Sequence, residues 1–177
     1  VVCEKPVALS VEDFDDMCAA AKKAGKLFTV HQNRRWDVDF LAIKSIIESG
    51  EIGETINIES RVHGSRGIPS DWRCHKPYGG GMILDWGVHL IDQMLTMMRE
   101  AGAKPVSVYC TTSNITNAEC DDGFTALVKF DCGPEWLIEV GTSTFVQMPR
   151  WYALGDNGSV VIDDWWCNGK ITRIYNW

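Results

Sequence analysis

Residues 1–6 read Val1-Val2-Cys3-Glu4-Lys5-Pro6 and residues 27–33 read Leu27-Phe28-Thr29-Val30-His31-Gln32-Asn33, with one helical pattern between them. Val1-Val2-Cys3 has the character of the end of a buried strand. Ser10, with Asp13 three residues on, forms a helix-start signal; the helix runs through Ala19-Ala20-Ala21 and stops at Gly25. Leu27 to His31 then reads as a second short strand. Strand, helix and strand within about thirty residues is the pattern of a βαβ unit in a parallel sheet. Residues 1–32 are therefore expected to be the closing piece of such a sheet.

After Asn33 the pattern changes. Asp37 or Asp39 opens a helix whose apolar face is Phe40, Ile43, Ile46 and Ile47, with Gly50 past its end. Ile56, Ile58, Ser60 and Val62 alternate with polar neighbours, as a half-exposed strand does. A loop rich in glycine, proline and charge spans 63–81, a length that usually carries function. An apolar helix is predicted from about Met82 to Met98. Strand patterns follow around 106–110, 124–130, 136–140, 151–153, 160–162 and 171–175, with turns at Asp156-Asn157-Gly158 and Asn168-Gly169. The expected class is α+β: an open, mostly antiparallel sheet with helices on one face over residues 33–177, preceded by the βαβ piece.

The chain has 177 residues, enough for one substantial core. Its net charge of -7, with no Lys/Arg cluster longer than a pair, weighs against nucleic acid and acidic membrane surfaces. No apolar run approaches the roughly 20 residues of a spanning helix, and the first residues do not form a signal peptide. A cytoplasmic location is expected. The seven cysteines form no C-x-x-C pair and read as reduced, structural thiols. Of the eight tryptophans, Trp136, Trp151, Trp165, Trp166 and Trp177 are read as core or sheet-covering residues rather than ligand platforms.

The chemistry concentrates in Gly79-Gly80-Gly81-Met82-Ile83-Leu84-Asp85-Trp86-Gly87-Val88-His89-Leu90-Ile91-Asp92. On an ideal helix Asp85, His89, Asp92, Gln93 and Thr96 fall within an arc of about 100°. Asp85 and His89, four apart, can serve one bound group, and a carboxylate beside an imidazole is acid–base geometry. The same stripe also fits the solvated side of a helix, or a metal-ligand face built from Asp85, His89 and Asp92, although metal sites usually draw on more than one element. Lys5 is at the carboxyl end of a parallel strand, where open α/β sheets place ligands, and Lys5-Pro6 is a candidate cis peptide. A solvated lysine beside a strand-ending proline is the plainer alternative.

Taken in order, Glu4-Lys5-Pro6, His31-Gln32-Asn33-Arg34-Arg35-Trp36, Asp71-Trp72-Arg73 and the triple glycine with Asp85 and His89 resemble the glucose-fructose oxidoreductase / inositol dehydrogenase / rhizopine-catabolism (Gfo/Idh/MocA) family of nicotinamide-dependent oxidoreductases. The likeness spans the chain and is strongest from Val1 to Met98. It implies that residues 1–32 are the end of a Rossmann domain and that 33–177 form a substrate-binding, catalytic domain that stops short of the family's usual end. It also implies catalytic roles for Lys5, Asp85 and His89: His89 as general base, Lys5 steadying the alkoxide, and Asp85 orienting substrate or histidine. Glu4, Lys5, Pro6, Asn33, Arg34 and Trp36 would line the cofactor, and Trp72, Arg73, Lys76, Tyr78, Asp85 and His89 the substrate. The family commonly has an acidic residue where this chain reads Cys74-His75-Lys76.

The implied cofactor is NAD or NADP, the implied substrate a sugar or polyol, and the implied assembly a homo-oligomer through the open sheet. No metal is expected. The glycine fingerprint of a dinucleotide site is not in the sequence, so the chain is expected to be a fragment with no cofactor bound and no activity alone. Two competing readings remain: a non-catalytic scaffold or oligomerisation domain of the same fold, and a metal-dependent hydrolase.

Overall fold

The computed structural model describes residues 1–175; Trp177 lies outside them. Strand β1 (Val2–Cys3), helix α1 (Val11–Lys23) and strand β2 (Thr29–Val30) come first, and β1 pairs with β2 in parallel, Val2 with Thr29 and Cys3 with Val30. Ser10 caps α1 by accepting a hydrogen bond from the Asp13 amide at 3.1 Å. Val1 and Val2 are 78% and 69% exposed, so the buried-strand expectation fails for them, while Cys3 and Val30 are half-buried.

The rest is an α+β unit. Helix α2 (Val38–Glu48) leads to strand β3 (Thr55–His63), and helix α3 (Val88–Glu100) leads to β4 (Pro105–Ser113), β5 (Gly123–Phe130), β6 (Glu135–Gly141), β7 (Trp151–Gly155), β8 (Gly158–Ile162) and β9 (Gly169–Arg173). The strands form one seven-stranded sheet in the order β4-β5-β6-β3-β7-β8-β9. Every neighbouring pair is antiparallel except β3 and β6, which run parallel at its centre. This pair follows from the connections: two hairpin-linked meanders, β4-β5-β6 and β7-β8-β9, flank a β3 that was laid down first. The carboxyl ends of β3 and β6 therefore reach the same sheet edge, and the loops 63–82 and 141–150 both leave from it.

Alternation along the strands separates the two faces. Phe40 and Ile43 of α2 and Leu90, Met94 and Met97 of α3 pack on Ile58, Phe124, Ala126, Trp136, Ile138, Trp151 and Val160. Trp136 and Trp151 are fully buried core residues, as the sequence indicates; each indole N–H is satisfied, by Ser60 Oγ at 3.4 Å and Asp39 Oδ2 at 2.8 Å. The other face carries the cross-strand row Tyr109, Leu127, Leu137, Glu59, Tyr152, Val161 and Lys170. On it Arg61 is sunk among Glu59, Glu139 and His63.

Two local expectations change, and a third holds with a difference. Asp37 opens α2 from its N-cap position, as expected, but its carboxylate pairs with Arg34 and makes no cap hydrogen bond, and Asp39 is buried against Trp151 and Arg150. The predicted 82–98 helix opens with a wider π-type turn at Ile83–Gly87 before α3, a distortion frequent at functional sites. The last strand ends at Arg173, not at Tyr175. No helix among the described residues is long and apolar enough to cross a membrane.

Candidate active site

Four segments converge on one cavity of about 380 Å³, lined by Glu4 and Lys5, by Asn33 and Arg34, by Pro69 and Arg73, and by Asp85, Trp86 and His89. Lys5 leaves the end of β1 through a cis Lys5-Pro6 bond. Its ammonium donates to Asp85 twice, to the carboxylate Oδ1 and to the backbone carbonyl, both at 2.7 Å. The other carboxylate oxygen accepts from Arg73 Nε at 2.7 Å, and Arg73 also binds Asp71 at 2.7 Å. Burial disfavours the Asp85 charge, but the hydrogen bonds from Arg73 and Lys5 outweigh it and hold the carboxyl below its ordinary range.

The triple glycine makes the Arg73 approach possible. The Gly81 amide donates to the Arg73 carbonyl at 2.8 Å, and a Cβ on Gly80 would lie only 2.4 Å from that same oxygen. Gly81, at φ +105°, also adopts a conformation that L side chains avoid. The loop is thereby drawn back on itself until the guanidinium reaches Asp85.

The polar stripe on α3 is not a wet side. Asp85, His89 and Gln93 are all buried, against the N-terminal segment. Gln93 donates to the Arg34 carbonyl at 2.7 Å, and Asp92 takes a two-pronged pair from Arg35 at 2.6 and 2.7 Å. Both carboxylates that a metal would need are thus occupied by cations, and among the described residues no three His, Cys, Asp or Glu side chains converge. His89 does not bond to Asp85; its Nδ1 is buried without a partner. Burial first, then the charges of Lys5 and Arg34, lowers its pKa to about 4, so the imidazole is neutral near pH 7.

The cavity brings together Glu4, Lys5, Asn33, Arg34, Arg73, Asp85 and His89 of the residues singled out in the sequence. It leaves out Pro6, Trp36, Trp72, Lys76 and Tyr78. Trp36 ends a 3₁₀ turn and is 77% exposed. Trp72 lies against the Arg73 guanidinium, 4.7 Å from its ring centre. Lys76 and Tyr78 are turned outward by the 3₁₀ turn at Pro77. The Lys76 amide is bound there by Glu119 at 2.8 Å, so a distant loop brings a carboxylate to the turn whose own sequence has none.

Sequence reading missed Trp86, Pro69, the Arg35–Asp92 clamp and Trp165. Trp165 comes from the β8–β9 connection, with its ring centre 5.7 Å from that of Trp86 and the Arg34 guanidinium over both. Trp86 neighbours Asp85 in the sequence, but an apolar residue in an apolar helix carries no signal. The other three are joined only by the fold.

Two family profiles match this chain: the GFO/IDH/MocA C-terminal domain over residues 40–161 and the oxidoreductase-family NAD-binding Rossmann fold over residues 1–32. The chain belongs to the Gfo/Idh/MocA family. It is similar to an NAD-binding protein from Listeria innocua, whose crystal structure superposes with a TM-score of 0.93 at 48% identity, covering 98% of this chain and 49% of that one. It is 32% identical over 163 residues to scyllo-inositol 2-dehydrogenase (NADP(+)) IolW of Bacillus subtilis, 91% of this chain and 44% of that protein. It is 31% identical over 137 residues to 1,5-anhydro-D-fructose reductase of Ensifer adhaerens, 75% of this chain and 40% of that protein. The chain thus spans less than half the length of these relatives.

Proposed function

We propose that this chain forms the substrate side and the nicotinamide side of an NAD(P)-dependent oxidoreductase acting on a secondary hydroxyl or carbonyl of a sugar or polyol. The observation that carries the reading is the meeting, in one cavity, of a lysine from the end of β1, held by Asp85, and a buried imidazole from α3.

The cavity suits the nicotinamide end of the cofactor. It opens at the carboxyl ends of two parallel strands, the usual ligand position in such sheets, and the buried, unpartnered His89 Nδ1 and Arg34 Nε provide polar capacity that no protein group uses. Glu4, Lys5, Asn33 and Arg34 would hold that end, and the cofactor supplies or accepts hydride. His89, neutral at pH 7, takes the proton of the substrate hydroxyl. Lys5 spends two of its three N–H donors on Asp85 and keeps one to steady the alkoxide. Asp85 and Arg73 fix the ammonium in place, so Asp85 acts on Lys5 rather than on His89.

In the enzyme that carries this chain, His89→Ala should lower turnover on polyols by roughly 10²–10⁴ with the melting temperature retained. Wild-type turnover would remove His89 from the mechanism. By itself the 177-residue chain, which has no glycine fingerprint for the pyrophosphate, should bind NAD and NADP weakly; low-micromolar calorimetric binding would contradict this. The sugar and polyol names of the relatives support the substrate class, and a cytoplasmic placement is proposed on composition. The outer face of the sheet, where Tyr109 and Leu127 are exposed, supports self-association through that face, which a solution mass measurement such as light scattering would test.

A further inference from the structure

The cavity around Lys5 and His89 does not end at Trp86. A second compartment of about 450 Å³ shares Pro69, Asp85 and Trp86 with it, and a third of about 340 Å³ shares His63, Gly64, Ser65 and Trp165 with the second. The three compartments thus adjoin one another in series, from the reacting groups to the loop 144–148. Whole small-molecule sites occupy roughly 300–1,000 Å³, and the inner compartment alone already reaches that range.

The outer groove is built rather than incidental. Its two walls are laced by backbone hydrogen bonds: Gly64 N–H to the Gly141 carbonyl at 2.8 Å, Thr144 N–H to the Gly64 carbonyl at 2.8 Å and Gly67 N–H to the Thr142 carbonyl at 2.9 Å. Asp164 accepts from the Trp166 and Asn168 amides at 2.9 and 3.1 Å, holding the turn that presents Trp165. The Trp165 ring is fixed by the Arg150 and Arg34 guanidiniums, 4.4 and 5.1 Å from its centre. Both His63 ring nitrogens are buried with no hydrogen-bond partner; Glu139 stands 3.4 Å from Nε2, close enough for attraction but outside hydrogen-bond geometry. At the far end Phe145 is 81% exposed, an aromatic ring left in water at the groove mouth.

Aromatic faces alternating with hydrogen-bonding groups suit a ligand that is apolar on its ring faces and polar around its rim, which describes a pyranose. We propose that the substrate is a glycoside of two sugar rings, the reacting ring beside Lys5 and His89 and the second ring in the outer groove between Trp165, Phe145 and His63. This deepens the polyol reading above and rests on it.

The test is calorimetric binding of cellobiose, maltose and lactose, each compared with the methyl glycoside of its non-reducing sugar, to the wild-type protein and to Phe145→Ser and Trp165→Leu. At least one disaccharide should bind about tenfold tighter than its methyl glycoside, and both variants should shrink that ratio toward one, Phe145→Ser while leaving methyl-glycoside affinity unchanged. Phe145, being exposed, provides a variant with no folding role to lose, should Trp165→Leu disturb its arginine neighbours. Methyl glycosides that bind with no gain from a second ring would overturn the proposal and leave the polyol reading standing. Failure of every sugar to bind would overturn both. A larger gain from phenyl glucoside than from any disaccharide would overturn the second ring's identity as a sugar.

Discussion

Two buried aspartates in this chain have nearly the same chemistry and opposite settings. Asp39 and Asp85 are 0% and 5% exposed, and each is held by an arginine, Arg150 at 3.1 Å and Arg73 at 2.7 Å. Asp39 is sealed between α2 and β7, where it also takes the Trp151 indole N–H, and its arginine is buried so deeply that its pKa falls to about 10. Asp85 faces a cavity, and its second cation, Lys5, keeps a free donor. A buried ion pair is thus no sign of function by itself; what separates the two is whether a charged partner has somewhere to act.

The comparison breaks most visibly in stability. Asp39→Ala should cost about 3–5 kcal/mol, because it strands the Arg150 charge in the core, and chemical denaturation should show a lowered midpoint with an unchanged slope. A loss under about 1 kcal/mol would mean that water reaches Arg150 after all. Asp85→Asn should do the reverse: turnover falls on the order of 10²-fold because Lys5 and Arg73 lose their anchor, while the denaturation midpoint moves little, since both cations are partly open to solvent.

Acid should act on the site in two stages. The folded state keeps His89 neutral down to about pH 4, whereas an unfolded histidine takes a proton near 6.5, so stability falls as pH drops through that window. Asp85, whose carboxyl is held below its ordinary range, adds a further loss beneath about pH 3.8. His89→Leu should flatten the upper stage only, and a melting-temperature profile against pH that keeps its full slope between 6.5 and 4 in that variant would assign the effect elsewhere. The smallest expected change is Arg73→Lys, about tenfold in activity, because an ammonium cannot reproduce the fork that spans Asp71 and Asp85.

The sequence discloses these two aspartates unequally, and the reason is periodicity. Asp85 stands out because every other residue around it is apolar or glycine, and Asp85 to His89 is one helical turn. Asp39 follows a break and precedes an apolar face, which is how a helix cap looks, so its burial is invisible without β7, more than a hundred residues later. The same logic separates the elements: alternation at 56–62 and 124–130 reveals the strands and the inward faces, but no local pattern states that β3 and β6 run parallel. Arg35 with Asp92, Lys76 with Glu119 and Trp86 with Trp165 are pairings of the same kind. Their residues are ordinary in their own segments and become a site only through tertiary contact.

The central parallel pair has a consequence for how the chain acquires its shape. β3 must wait for β6, which starts 72 residues after β3 ends, and for β7 beyond it, so its two neighbours cannot form as local hairpins. Closing loops of that size before any reward slows folding. The β4-β5-β6 and β7-β8-β9 meanders can assemble early, each from adjacent residues, and the sheet becomes whole only when β3 docks between them. Rapid-mixing experiments should therefore find burial of Trp136 and Trp151, which flank that seam, in the slowest major phase.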